Sequence, residues 1–332
     1  MKRLNLGRYA LSIGAAAALL AGCGGPQPSG PTTFPQVQQE DPVSTPLPSG
    51  TVLHRASQPL PRQAMRQPLL YMGDTAGAAI DIYPLTGPNK QRIGRITNGV
   101  VDPWGLSLDA NNTLYVANLS RTVRVYPNGS SSPSMTYSRG LHEALYAVAD
   151  SAGHVLVADT VVGGPKKGGL VIEYNAGTNV PIKKVRLGAE EDGMAQDASG
   201  NLYVAYRRTS RTGIDSSIAE FGPGLTNKRL LGMTINQPQG LVVDSSGNLV
   251  VAESQSDDIK VFPPGATTPS VTVKVPANSN IGELAMQNNE TTLWVSSEGG
   301  DVYSMPYPLT PSTIPTVYEH TYAFSNGVAV TH

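Results

Sequence analysis

A sixfold repeat of short apolar segments is the feature that most restricts how this 332-residue chain folds. In chain order the six copies are LLYMGD, TLYVAN, HVLVAD, NLYVAY, NLVVAE and TLWVSS. Their aligned positions, 41 to 47 residues apart, are Leu70, Leu114, Val155, Leu202, Leu249 and Leu293. Short runs rich in β-branched and aromatic residues, separated by clusters of Gly, Asn, Asp, Ser and Pro, are typical of antiparallel strands.

Each copy has further strand-like segments on both sides. Upstream of five copies lies a segment that ends near an Asp or Asn, such as GLVVD at 240–244. Downstream of all six lies a third segment, such as DIKVF at 258–262, and a fourth follows, such as 270–275. Four antiparallel strands at a period of about 40 to 47 residues predict the blades of an all-β propeller.

The first copy, at Leu70, lacks the upstream strand. The chain ends in Gly327-Val328-Ala329-Val330-Thr331, which matches the missing segment. We therefore expect the C-terminal strand to complete the first blade and to close six four-stranded antiparallel blades over residues 68–332, which hides both open sheet edges. An open solenoid is the alternative, but it does not explain why the two ends carry complementary halves of one repeat.

The repeat also carries a consensus, G-hydrophobic-x-hydrophobic-D-x-x-G-N-L-Y-V-A, followed by I-x-V-F/Y-P. This consensus resembles that of NHL-repeat and related six-bladed propellers, and it is most complete over Gly193–Ala205 and Gly240–Ala252. We expect the first Gly to lie where the inner strands crowd the axis. In four copies the turn position of the repeat holds a carboxylate that is expected to bond local amides; these structural residues are Asp109, Asp150, Asp197 and Asp244.

Residues 1–23 have the features of a bacterial lipoprotein signal. Three basic residues precede the apolar stretch 9–20, which is too short for a membrane-spanning helix. Leu20-Ala21-Gly22-Cys23 resembles a lipobox, which implies cleavage before Cys23 and attachment of lipid to its thiol. Cys23 is the only cysteine of the chain, so it has no disulfide partner. An ordinary secretory signal with an incidental Cys is the alternative.

Residues 24–67 are dense in Pro, Gln, Ser and Thr, and they predict an extended tether between the lipid and the folded domain. A Pro-rich motif that binds a partner is the alternative. Gly24, rather than an Asp, follows the Cys, and by the lipoprotein resemblance this favours the outer membrane. The expected location is therefore the bacterial cell envelope, outside the cytoplasm.

Composition and known catalytic motifs restrict the function further. The formal net charge is −1 and only 15% of the residues are charged, which gives no basic face for nucleic acid. The chain contains no H-E-x-x-H and no G-x-S-x-G, and its five His are not paired at zinc-ligand spacing. A functional site must therefore come from residues that the propeller brings together.

The residues directly before the position aligned with the first Gly of the repeat are expected at the entrance of the central channel. They are Trp104, Leu145, Asp192, Gln239, Glu283 and Asn326. Two carboxylates and two side-chain amides converging on one axis form the oxygen set that Ca²⁺ prefers; these candidate ligands are Asp192, Gln239, Glu283 and Asn326. The set is similar in kind to the metal centre of the gluconolactonase, regucalcin and paraoxonase propellers, which implies hydrolysis of a lactone or ester with a divalent ion. A polar channel without an ion is the alternative.

Two further features predict contacts with a ligand. Trp104 lies at the same level of the ring and would stack on a sugar, or else pack in the interior. Insertions at 161–169 and 207–215 lengthen the connections between second and third strands. Their basic residues would form a cationic rim for an acidic glycan or a protein, or else remain solvated; they are Lys166, Lys167, Arg207, Arg208 and Arg211.

The sequence therefore favours a lipid-anchored, extracytoplasmic propeller that acts as a binding or scaffolding module for a protein or glycan. A divalent-metal-dependent lactonase or esterase, with its site at the channel entrance, is the competing hypothesis.

Overall fold

The computed structural model describes residues 57, 60, 66–86, 91–161, 168–210, 213–320 and 326–331. These residues form six antiparallel sheets of four strands each, which confirms the predicted six-bladed propeller. Within these ranges no helix is both long and apolar enough to cross a membrane. The predicted signal peptide with Cys23, and nearly all of the predicted tether, lie outside the described residues.

Each blade is a meander that runs from the axis to the rim. Blade 1 contains β24 (Val328–Val330), β1 (Leu69–Asp74), β2 (Ala79–Pro84) and β3 (Gly94–Ile96); blade 2 contains β4 (Pro103–Leu108), β5 (Leu114–Asn118), β6 (Thr122–Tyr126) and β7 (Met135–Tyr137); blade 3 contains β8 (Ala144–Ala149), β9 (Val155–Val161), β10 (Gly168–Tyr174) and β11 (Pro181–Arg186). Blade 4 contains β12 (Glu190–Gln196), β13 (Leu202–Ser210), β14 (Gly213–Gly222) and β15 (Thr226–Leu230); blade 5 contains β16 (Pro238–Val243), β17 (Leu249–Glu253), β18 (Asp258–Phe262) and β19 (Val271–Lys274); blade 6 contains β20 (Ile281–Met286), β21 (Thr292–Ser297), β22 (Asp301–Pro306) and β23 (Thr316–His320).

The last strand closes the ring as the sequence predicts. β24 pairs antiparallel with β1, so that Leu70 lies opposite Val330. Beyond this ladder the Leu69 amide donates to Oγ1 of Thr331 at 2.8 Å, and the Thr331 amide donates to the Leu69 carbonyl at 2.9 Å. The C-terminus therefore supplies the inner strand of the first blade.

The repeated Asp of each inner turn has the structural role predicted for it. Its Oδ1 accepts hydrogen bonds from the amides two and four residues later, at 2.7 to 3.0 Å, in Asp109, Asp150, Asp197 and Asp244. These bonds fix the reversal between the first and second strands of four blades.

The hydrophobic core lies between neighbouring blades. The described residues contain six apolar clusters, and a cluster combines side chains of adjacent sheets, as where Val123 of β6 packs with Val157 of β9. Alternate side chains of each strand enter these clusters because successive Cβ atoms point to opposite faces of a sheet.

Two residues of the predicted tether contact the propeller. Leu60, assigned to the tether, is 8% exposed and packs in the cluster that contains Tyr71 and Ile82. Oγ of Ser57 accepts hydrogen bonds from the amides of Thr97 and Asn98, both at 2.9 Å. The folded unit therefore includes residues that lie before position 68.

In blade 4 the described residues of the insertion 207–215 extend strands β13 and β14 rather than form the longer connection that the sequence predicts. The pairing of β13 with β14 continues outward until Ser210 lies opposite Gly213. Because the insertion lengthens both strands equally, the added residues remain paired as a hairpin. This pairing provides hydrogen-bond partners for their backbone N–H and C=O groups.

Glycines near the axis allow the inner strands to approach one another. A Cβ atom on Gly240 would lie 2.6 Å from both the Gly282 carbonyl oxygen and the Leu284 amide nitrogen. The first Gly of the repeat is therefore required by a close backbone contact, as the sequence predicts.

We expect Gly240→Ala to lower the free energy of unfolding by about 2 kcal/mol or more, because overpacked atoms force backbone shifts. Gly73→Ala is the matched control, since its Cβ would find its nearest neighbour at 3.5 Å, which is an ordinary contact, and a change within about 0.5 kcal/mol is expected. Urea unfolding followed by circular dichroism measures both. Equal midpoints for the two variants would show that axial crowding does not limit the fold.

Candidate functional site at the channel entrance

Five of the six inner strands have a break in pairing near their first residues. The register shifts between residues 103 and 106, 144 and 146, 191 and 194, 238 and 241, and 281 and 284. Such bulges bend a strand and change the direction of side chains. Three of the predicted ligands lie inside these breaks: Asp192, Gln239 and Glu283.

The fold brings the four predicted oxygen-bearing residues together. A Cβ atom on Gly193, the neighbour of Asp192, would lie 3.2 Å from Oε2 of Glu283. A Cβ atom on Gly282 would lie 3.6 Å from Oε1 of Gln239 and 3.2 Å from the carbonyl oxygen of Asn326. Consecutive blades therefore contribute Asp192, Gln239, Glu283 and Asn326 to one small region of the axis.

Two of these side chains are buried and have polar atoms with no hydrogen-bond partner among the described residues. Glu283 is 3% exposed and Asn326 is 2% exposed. Oε2 of Glu283 and both side-chain polar atoms of Asn326 make no hydrogen bond there. Because an unpaired buried polar atom is energetically costly, these atoms indicate a ligand position.

Ser296 fixes the backbone at this point. Its Oγ accepts a hydrogen bond from the Glu283 amide at 2.9 Å and donates one to the Asn326 carbonyl at 2.6 Å. The Glu283 amide also donates to the same carbonyl at 3.3 Å. β21 therefore holds the entrance ends of blades 6 and 1 together through one buried hydroxyl.

The entrance contains several acids whose pKa values are raised. Burial raises the pKa of Asp192 to about 7, with Glu190 and Glu298 adding to the shift and Arg207 opposing it. Burial raises the pKa of Glu283 well above its ordinary value, and Asp192 raises it further. Burial also raises the pKa of Glu298 to about 7. The site therefore gains negative charge near neutral pH.

Three residues of this region are missing from the sequence-based prediction. Glu298 follows β21 in a turn, Ser296 is the penultimate residue of that strand, and Tyr146 lies one step beyond the predicted ring level. Burial and the nearby Glu283 raise the pKa of Tyr146 far above its ordinary value.

The predicted aromatic and basic residues lie elsewhere or outside the description. Trp104 is 6% exposed and packs with Leu145 and Tyr146 in an apolar cluster, so its ring lies in the interior. Arg207 donates to Oε2 of Glu190 at 2.9 Å, at the rim beside Asp192. The other members of the predicted cationic rim lack a described side chain; they are Lys166, Lys167, Arg208 and Arg211.

The opposite end of the inner strands opens into a cavity of about 320 Å³. Residues of all six inner strands line it, among them Ser107, Gln196 and Gln287. Tyr146 and Met194 also line this cavity. The channel therefore has an acidic entrance and, at its opposite end, a cavity whose lining is mostly uncharged.

Comparison with family models and with curated proteins gives no match. Among solved structures, a chain of the nidogen/laminin complex is similar, with a TM-score of 0.64 and 15% identity, covering 80% of this chain and 98% of that one. A chain in the structure of U3-55K gives a TM-score of 0.53 and 8% identity, covering 71% and 73% respectively. These similarities show the β-propeller fold and no more.

The raised acid pKa values predict a pH-dependent stability. An acid with a pKa of about 3.8 in the unfolded chain and about 7 in the folded chain binds more protons when folded, so stability falls as pH rises from 4 to 7. One such group accounts for about 1.4 kcal/mol per pH unit in this window. Asp192→Asn should therefore give a flatter profile than the wild type.

Thermal or urea unfolding in chelator-treated buffer at pH 4 to 8 measures this effect. Asp102→Asn is the control, because Asp102 is exposed and already has a positive φ of 50°, which Asn tolerates. This variant should follow the wild-type profile. An unchanged slope in Asp192→Asn would mean that Asp192 titrates normally in the folded protein.

Proposed function

We propose that this protein is a lipid-anchored, extracytoplasmic propeller that binds a divalent cation, Ca²⁺, at its channel entrance and there recognises a protein or glycan. The observation that carries this proposal is that Oε2 of Glu283 and both side-chain polar atoms of Asn326 are buried without a hydrogen-bond partner among the described residues. They lie beside a second buried carboxylate, that of Asp192.

The chemistry of the donor set favours Ca²⁺. Ca²⁺ takes six to eight oxygen ligands in flexible geometry, from carboxylates, amide carbonyls and water. Glu283, Asp192, Asn326 and Gln239 supply such oxygens, and the two carboxylates match the charge of a divalent ion. A bound cation would also relieve the cost of burying these groups.

The partner would complete the shell of the ion at the open side of the site. Asp192, at 8% exposed, is the most accessible of the three buried ligands, and Glu298 is partly exposed. Hydroxyl groups of a glycan or a carboxylate of a protein have the hard oxygens that Ca²⁺ accepts. The similar chain of the nidogen/laminin complex was solved with a partner, which supports a binding role for a propeller of this size.

The proposed location rests on the N-terminal sequence. The positive and apolar regions of residues 1–23 end in Leu20-Ala21-Gly22-Cys23, and a Pro-rich segment follows. Lipid on Cys23 would anchor the chain to the cell envelope, preferentially the outer membrane, and the segment would hold the propeller away from the bilayer. The same proposal includes the assignment of its repeats to the NHL type.

A metal-dependent lactonase or esterase is the second candidate, and the raised pKa of Asp192 at the entrance favours it. With a pKa of about 7, Asp192 would accept or donate a proton at neutral pH, as a general acid or base requires. A divalent ion at the site would supply polarisation of an ester carbonyl. Glu283 and Asn326 would hold the ion, and Gln239 would orient the substrate or complete the ligand set.

We expect Ca²⁺ to raise the melting temperature of the metal-free protein. An ion present at 100 times its dissociation constant adds about 2.7 kcal/mol of stability, which corresponds to several degrees for a domain of this size. Glu283→Gln should lose most of this shift, because it removes one charge while keeping the shape. Differential scanning calorimetry measures the shift, and Asp102→Asn serves as the unaffected control.

A panel of lactones and esters distinguishes the two candidates. Ca²⁺-dependent turnover that disappears in Glu283→Gln would select the hydrolase. A Ca²⁺-dependent shift without turnover selects the binding module. The absence of both a shift and bound metal after purification would remove the cation from either account.

We expect Cys23→Ser to abolish incorporation of labelled fatty acid and to release the protein from the membrane fraction, since no other thiol exists in the chain. Cell fractionation with a labelled lipid precursor measures both. A Cys23→Ser protein that still partitions with membranes would contradict anchoring through this residue.

A further inference from the structure

A second group of metal-ligand side chains lies on blade 3, at the other end of β8 from the channel entrance. It consists of Asp150, His154 and Glu173. Nδ1 of His154 lies 2.9 Å from Oδ2 of Asp150 and 3.9 Å from Oε1 of Glu173. The three ligand atoms all lie within 4.8 Å of one another.

The turn at Asp150 orients the first two members of the group. Oδ1 of Asp150 accepts the amides of Ala152 and His154, at 2.9 and 2.8 Å. This anchoring leaves Oδ2 directed at the imidazole. The position of the Asp is therefore fixed by the backbone before any ion binds.

The other blades show that this turn does not need a histidine. In blades 4 and 5 the residue four positions after the Asp is Asn201 or Asn248. Nδ2 of each Asn donates to Oδ2 of its Asp, at 2.8 and 2.7 Å. His154 keeps the geometry of this contact but adds an imidazole, which is a common metal ligand.

Glu173 is a buried carboxylate that no described residue supplies with a hydrogen bond. Its side chain is 7% exposed, and Nδ1 of His154 lies 3.9 Å from its Oε1. The cross-strand neighbour, Lys183, donates instead to the Gly224 carbonyl at 2.7 Å. In blade 4 the corresponding Glu220 has a cation, because Arg229 forms an ion pair with it.

We propose that Asp150, His154 and Glu173 bind a divalent transition metal, Zn²⁺, with a fourth position open to solvent. Ligand atoms of a tetrahedral zinc site lie about 3.3 Å apart when the bonds are about 2.0 Å long. The distances of 2.9 and 3.9 Å from Nδ1 bracket this value, so small side-chain rotations complete the site. The side chains of His154 and Asp150 are 30% and 21% exposed, which leaves a path for the ion.

The ligand atoms of this site select a different metal from those of the channel entrance. An imidazole nitrogen with two carboxylates suits Zn²⁺, whereas the all-oxygen entrance suits Ca²⁺. The inference is therefore independent of the function proposed for the entrance. Three protein ligands with an open fourth position have the form of zinc sites that bind a further ligand.

The test is titration of the full mature chain with ZnCl₂ by isothermal titration calorimetry. The titration uses the Glu283→Gln variant in excess Ca²⁺, so that the channel entrance does not bind Zn²⁺. We expect one Zn²⁺ per chain, and we expect His154→Asn and Glu173→Gln each to weaken binding at least tenfold. His154→Asn should fold normally, because blades 4 and 5 carry Asn at this position.

His142→Asn is the matched control. Nδ1 of His142 lies 2.9 Å from Oδ2 of Asp159, so it forms the same kind of His–Asp pair, but no third ligand of the described residues joins it in a metal-binding group. Zinc affinity should not change in this variant. A loss of affinity equal to that of His154→Asn would overturn the assignment.

Cobalt gives a second readout that does not depend on the variants. Co²⁺ bound at one equivalent should produce the strong visible absorption of a tetrahedral site, and Zn²⁺ should displace it. Absence of zinc binding in the wild type, absence of this absorption, or wild-type affinity in His154→Asn would each show that His154 only takes the place of the Asn.

Discussion

The crowding of inner strands around a single axis is the constraint on which the rest of this propeller depends. A Cβ atom on Gly193 would lie 2.1 Å from the Gln239 carbonyl oxygen, and one on Gly105 would lie 2.4 Å from the Leu145 carbonyl oxygen. Glycine removes this clash, and a break in the strand pairing at the same place lets the backbone turn. Asp192 directly precedes Gly193 and Gln239 directly precedes Gly240, so both residues are placed at the channel entrance. The close approach of the inner strands thus decides which residues reach the channel entrance, where they can bind a ligand.

Closure of the ring also completes the candidate site. The strand that pairs with β1 is preceded by Asn326, whose carbonyl accepts hydrogen bonds from the Glu283 amide and from Ser296. The first and last blades therefore meet at the residues whose buried polar atoms have no described partner. Because one strand both seals the sheet and supplies a candidate ligand, loss of closure would remove the site together with much of the stability.

Two places in this nearly neutral protein contain buried acidic side chains that could bind a cation. At the entrance, burial raises the pKa of Asp192 and of Glu298 to about 7. On blade 3, Glu173 lacks the arginine that its counterpart in blade 4 has. On blade 3 the ion-pair partner of Glu173 is His154 at 3.9 Å, and at the entrance Arg207 opposes but does not cancel the raised pKa of Asp192. This incomplete balance of buried carboxylates is what indicates a ligand. The overall charge of −1 conceals it.

The sequence by itself determined the number of blades, the closing strand, the structural Asp of the turns and the axial glycines, because each of these depends on period and local backbone chemistry. It also placed Asp192, Gln239, Glu283 and Asn326 at one level of the ring. Only the tertiary structure decided that Trp104 packs inside, that β13 and β14 continue as a hairpin, and that Ser296 and Glu298 belong to the entrance. It alone showed that Glu173 comes within reach of His154. These facts depend on distances between strands and between blades. The repeat gives the order of residues along the chain, but it does not show which buried polar groups have a hydrogen-bond partner.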